Sequence, residues 1–285
     1  MGMIEYPKPD APFSEVLKAA IADLSATGYV SAERMTEWVT RLRNAAERDL
    51  GPEWEVDVEV RRDMERLLER FMSDQKLPRV VPGVGRFTRE MVKPRLWGEL
   101  DRRILASAQL IKVDRREAIE RTLRRFQGWA TSIPPGGDET VDRREVGSEL
   151  RKDLVKYRYH KRFVATDQGH KLISNVADLV ASEAGAIAGI WHSHGATDAR
   201  YDARPDHLRR DGKTFLIRGS WADKAGLLRA VNGYMDEHTM PGQEPYCRCW
   251  YQYVLSPRRL PDDFLTRKGH DWVRQGSEEF QRRMA

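Results

Sequence analysis

The chain has 285 residues, of which 40% are hydrophobic and 33% charged, and its formal net charge is +5. This length supports one large domain or two modest ones, each with its own core. No apolar run approaches the roughly 20 residues that span a bilayer, and the first residues lack the apolar stretch of a secretory signal. The composition therefore predicts an intracellular protein without a membrane segment.

The sequence pattern of residues 1–131 predicts a helical region. Ser14 and Ser31 are typical N-cap residues, and Gly28 is a typical helix end. Apolar residues recur at helical spacing behind each cap. The second predicted helix shows this stripe most clearly: Met35, Trp38, Val39, Leu42 and Ala46.

Residues 132–153 predict a linker and the start of a connecting helix, because Pro134, Pro135, Gly136 and Gly137 cannot continue a helix. Helical patterns follow over Val146–Tyr159 and again over Ala165–Glu183.

The middle of the chain is basic. Between Arg86 and Arg162 there are 20 Lys and Arg against 12 Asp and Glu. Four cations interleaved with aromatic residues are candidates for nucleic-acid contact: Lys156, Arg158, Lys161 and Arg162. The alternative is a helix C-terminus whose cations complement the helix dipole.

Three short strands are predicted in the last third of the chain, at Ala186–Trp191, Thr214–Ile217 and Cys247–Val254. Together with the helices they give an α+β fold class with a short antiparallel sheet. Residues 154–256 form the predicted α+β module, and residues 257–285 a polar C-terminal tail.

The block from Trp191 to Cys249 holds four of the seven histidines and both cysteines. Two thiolates and one or two imidazoles form a plausible tetrahedral zinc set. The favoured ligands are Cys247, Cys249 and His207, completed by His192, with His194 or Asp198 as alternatives. Otherwise the cysteines are buried strand residues and His207 hydrogen-bonds a carboxylate.

The order of residues in this block resembles the phage Mu F-like head morphogenesis family, also called minor head proteins. The matching residues are Trp191, Ser193, Asp198, Arg200, Arg204, Pro205, His207, Asp211, Gly212, Cys247, Arg248 and Cys249. Two features depart from the family pattern: Tyr246 stands where Asn commonly precedes the first Cys, and the family is not associated with a His-x-His after the Trp.

The resemblance implies a minor capsid protein of a tailed bacteriophage. Such a protein is expected in the virion, inside the head, and in the host cytoplasm during assembly. Its expected partners are the portal protein, other capsid components and the packaged double-stranded DNA. The motif residues Trp191, Asp198, Arg200, Arg204, His207, Asp211 and Gly212 would then serve architecture.

Two other functions stay open. The sequence contains no specific enzyme motif, so we expect the chain not to be an enzyme. The runner-up is a zinc-dependent nuclease or toxin-like enzyme centred on His192, His194, His207 and the two cysteines. A non-viral basic adaptor that binds nucleic acid through its helices is the third possibility.

Overall fold

The computed structural model describes the backbone of residues 6–74, 89–194 and 204–284 and most of their side chains. The fold is α+β, as the sequence predicts: long helices precede a three-stranded antiparallel sheet. The described α-helices are α1 (Phe13–Thr27), α2 (Ala32–Asp49), α3 (Glu53–Asp74), α4 (Arg89–Ser132), α5 (Arg143–Glu183), α6 (Pro205–Arg210), α7 (Trp221–Lys224) and α8 (Arg267–Met284). None of them has the length and apolar composition needed to cross a bilayer.

The chain divides into two compact units, which differ from the predicted domains. The first contains residues 1–62 and 104–165, and the second contains 63–103 and 166–285. The predicted boundary at residue 154 falls inside α5. The two helical patterns predicted over Val146–Tyr159 and Ala165–Glu183 form one helix, because neither proline nor a left-handed glycine interrupts residues 143–183.

In the first unit, α1 and α2 pack through the apolar stripes predicted for them. Ser31 caps α2 as predicted, since its hydroxyl accepts a hydrogen bond from the Arg34 main-chain N–H at 3.2 Å. Ser14 is not a cap: α1 begins at Phe13, and the Asp49 carboxylate accepts the Phe13 N–H at 3.1 Å. A carboxylate from the end of α2 thus takes the role predicted for the serine.

In the second unit, the sheet consists of β1 (Ala188–His192), β2 (Thr214–Leu216) and β3 (Trp250–Val254) in the order β2-β1-β3. Both neighbours of β1 are antiparallel to it. Strand β3 begins three residues later than predicted, so Cys247 and Cys249 lie in the turn that precedes it.

The segment predicted as a polar C-terminal tail belongs to the second unit. Leu260, Phe264 and Leu265 are buried in one cluster with residues of β1, β2 and β3. Trp272 of α8 packs on Trp221, with 5.6 Å between the ring centroids. Leu260, Phe264, Leu265 and Trp272 anchor this segment because all four pack against the same core.

Candidate metal centre

Two separate segments of the second unit meet at His207, Cys247 and Cys249, here called the His–Cys cluster. His207 lies on α6, and its Nδ1 is 3.7 Å from the Cys247 Sγ and 3.5 Å from the Cys249 Sγ. All three residues are at most 2% exposed. The nitrogen and the two sulfur atoms lie within 4.8 Å of one another, so the cluster can hold a metal ion.

Carboxylates lie on the other side of the imidazole. His207 Nε2 is 3.5 Å from Glu244 Oε1 and 3.8 Å from Asp206 Oδ2, and it is buried without a hydrogen bond to any described residue. A hydrogen bond from Thr239, followed by contacts with His207 and Arg204, lowers the pKa of Glu244. A ligating histidine usually directs its second nitrogen at a carboxylate, so this arrangement fits metal binding through Nδ1.

A hydrogen bond between the two thiols shifts their pKa values in opposite directions. The Cys249 thiol donates to Cys247, and main-chain N–H groups of Gly242 and Cys249 add to this effect, which lowers the pKa of Cys247 to about 5. The same hydrogen bond, together with burial, raises the pKa of Cys249. The lowered pKa of Cys247 favours its thiolate, which is the form that binds metal ions.

Trp191 forms the wall of the cluster and is fully buried. Its ring meets the His207 ring edge-on at 5.3 Å and the Tyr251 ring at 5.4 Å. Gly189, two residues earlier on β1, is needed here because a Cβ at that position would lie 2.8 Å from Tyr251 Cδ1. The aromatic packing leaves the imidazole a single orientation toward the sulfur atoms.

The turn before β3 is held in a conformation that directs both thiols inward. Tyr246 has a φ of 60°, the left-handed region that residues with a Cβ rarely adopt. Its main-chain N–H donates to the Oδ1 of Asp167 on α5 at 2.8 Å, and Asp167 also pairs with Lys171 at 2.8 Å. This left-handed residue explains why the strand begins only at Trp250.

Hydrogen bonds and an ion pair of the remaining motif residues hold the segment around α6 in place. The Asp211 carboxylate accepts the Ser193 N–H at 2.7 Å, and Gly212, with a φ of 72°, donates its N–H to the Trp191 carbonyl at 2.8 Å. Arg204 pairs with Glu244 at 3.0 Å. Asp198 and Arg200 lie outside the described residues.

His192 does not join the cluster, in contrast to its prediction as a ligand. Successive side chains of a strand point to opposite faces, and His192 follows the inward-facing Trp191. Its ring stacks on Trp250 with 4.2 Å between centroids, and its Nε2 is 3.2 Å from Gln252 Oε1. His194 contributes its main chain, which lies close enough to hydrogen-bond to the Cys249 sulfur.

The four candidate nucleic-acid contacts lie on α5 in the first unit. Lys156 and Arg158 are exposed and form no ion pair with any described residue, whereas Lys161 pairs with Glu59. Arg162 is exposed as well. Between them Tyr159 is 70% exposed. The basic and aromatic side chains are thus accessible together on one stretch of the helix.

The sequence predicts the three residues of the His–Cys cluster but not the residues that hold them in position. Glu244, Asp167 and Tyr251 give no local signal, because each acts through a partner distant in the sequence. Comparison of the chain with protein-family models, with curated proteins and with solved structures finds no match.

Replacing Tyr246 is expected to stabilise the protein. Asn tolerates the left-handed region, where other L-residues cost about 1–2 kcal/mol. Tyr246→Asn is therefore expected to increase the free energy of unfolding by about 1 kcal/mol, measured by denaturant titration. Tyr246→Phe keeps the same backbone preference and serves as the matched control, with no gain expected. Equal stabilities of the two variants would contradict the role assigned to the strained φ.

Proposed function

We propose that the chain is a minor head protein of a tailed bacteriophage that takes part in head morphogenesis. The observation that carries this proposal is that the residues behind the family resemblance meet in space. Trp191, His207 and the two cysteines come from three segments and form one buried cluster. Asp211 and Gly212 of the same motif fasten the intervening segment to β1.

We further propose that the His–Cys cluster holds a structural zinc ion. Zinc binds imidazole nitrogen and cysteine sulfur in tetrahedral sites. His207, Cys247 and Cys249 supply three such donors, and the carboxylates behind His207 suit the second nitrogen of a ligating imidazole. A tetrahedral site requires a fourth donor in addition to these three. The ion would tie α6 to the turn before β3. It would contribute directly to folding, since binding free energy at such sites is folding free energy.

The geometry favours this structural role over the nuclease. A catalytic zinc keeps a position open to substrate, whereas His207, Cys247 and Cys249 are 1–2% exposed. A cleft of about 510 Å³ in the second unit is lined by none of the three.

In this proposal the protein lies inside the head and contacts the portal protein and other capsid components. The exposed cations of α5 would face the packaged double-stranded DNA. Contacts of lysine and arginine with phosphates are independent of base sequence and weaken with salt. The non-viral adaptor would share this property, so DNA binding does not discriminate between the two functions.

Mass spectrometry of purified DNA-filled particles tests the assignment. We expect the protein to be present at a few copies per portal ring and to remain with the particle through density-gradient purification. Abundant protein in the lysate together with its absence from particles would refute the assignment.

Metal analysis tests the zinc site. We expect about one zinc ion per chain in the purified protein and none in Cys247→Ser or His207→Ala. Loss of the ion is expected to lower the free energy of unfolding by at least about 3 kcal/mol. His192→Ala is the matched control, because this histidine lies outside the cluster, and it should retain the ion. A metal-free protein that is stable and unaffected by a chelator would exclude the site.

A third test concerns DNA. Replacing both Lys156 and Arg158 with Ala is expected to weaken binding to duplexes of any sequence and to reduce the slope of log affinity against log salt by about 2. Lys8→Ala with Lys18→Ala removes the same charge from exposed positions elsewhere in the first unit and is the control. Equal losses in the two double variants would show that only net charge matters.

A further inference from the structure

The second unit contains a cleft of about 510 Å³ beside β3. Residues of the second half of α5 form one side, the segment 240–243 another, and Phe71 of α3 contributes an apolar surface. Four consecutive residues of β3, from Trp250 to Tyr253, also line it. Because successive side chains of a strand point to opposite faces, a cleft touching all four runs along the edge of the strand.

That edge of β3 is open. Strand β1 lies between the other two strands, so β3 pairs on one side only within the described part of the chain. Trp191 uses its main-chain N–H and C=O on the β2 side, bonding to Lys213 at 2.9 Å and to Gly212 at 2.8 Å.

The register then fixes the direction of the main-chain groups of β3. Trp191 lies opposite Tyr251, and Gly189 lies opposite Tyr253. Main-chain groups alternate between the two sides of an antiparallel strand. Tyr251 and Tyr253 therefore direct their N–H and C=O groups away from β1, along the cleft.

The cleft also contains a carboxylate that lacks a cation. Asp178 of α5 accepts a hydrogen bond from the Tyr253 hydroxyl at 3.1 Å and forms no ion pair with a described residue. Burial raises its pKa. A cationic group from a ligand would provide the charge-assisted hydrogen bond that this site lacks. The indole of Trp250, 50% exposed, adds an aromatic surface at the same edge.

We propose that this cleft binds an extended segment of another protein, which adds to β3 as a fourth strand and directs a lysine or arginine side chain to Asp178. Main-chain hydrogen bonds at Tyr251 and Tyr253 provide the affinity, and the carboxylate provides the selectivity, as in other cases of strand addition. The unpaired edge favours an extended peptide over a compact small molecule. The inference depends on neither the zinc ion nor the phage assignment.

Binding of a positional-scanning library of fluorescein-labelled heptapeptides to the full chain tests this proposal. We expect selection of lysine or arginine at one position, flanked by residues that favour strands. Methylation of alternate peptide nitrogens in one register, but not in the other, is expected to abolish binding, because only one set of N–H groups faces β3.

Variants of the protein complete the test. Asp178→Asn is expected to weaken binding of the selected peptide at least about tenfold, the loss of one charge-assisted hydrogen bond. Asp263→Asn changes an exposed carboxylate outside the cleft and should bind as the unaltered protein does. Trp250→Ala is a second cleft variant at an exposed position and should also weaken binding.

Three results would overturn the proposal. The first is a library without selection for a basic residue, and the second is binding that is insensitive to methylation in either register. The third is self-association of the chain that Asp178→Asn abolishes, which would make a second copy the occupant of the cleft.

Discussion

The small sheet depends on the burial of an imidazole between two cysteine sulfur atoms on one side and two carboxylates on the other. Polar groups removed from water are costly unless they find partners, and His207 is 1% exposed. The cysteines face Nδ1, whereas Nε2 lies 3.5 Å from the Glu244 carboxylate and 3.8 Å from that of Asp206, without a hydrogen bond to a described residue. Together with Trp191 of β1, this polar centre specifies where three segments meet more strictly than apolar packing does.

Much of the architecture was predictable because its signals are local. Apolar residues at helical spacing and the cap at Ser31 suffice for α1 and α2, and short apolar runs bounded by turns suffice to find three strands. His207 and the two cysteines were identifiable as a group because few side chains bind transition metals. Their convergence is a property of the fold, which spacing alone does not encode.

The rest depends on contacts between residues distant in the sequence. The start of β3 follows from the left-handed Tyr246, whose N–H is held by Asp167 in another helix. Because the Trp191 side chain points into the core, the side chain of His192, the next residue of β1, lies on the opposite face of the strand. The C-terminal segment has the composition of a polar tail with sparse apolar anchors, and its Phe264 and Leu265 complete the core. No local sequence pattern identifies these contact partners.

The spacing of the cluster along the chain also governs when it can form. His207 precedes its two sulfur partners by 40 and 42 residues. At about 5–20 residues per second, a ribosome needs about 2–8 s to cover that distance. During this interval β1 and α6 exist without the cysteines, and the surface of Trp191 stays uncovered. The cluster therefore forms only after Cys249 has emerged, and until then the Trp191 ring lacks its neighbours Cys247, Cys249 and Tyr251.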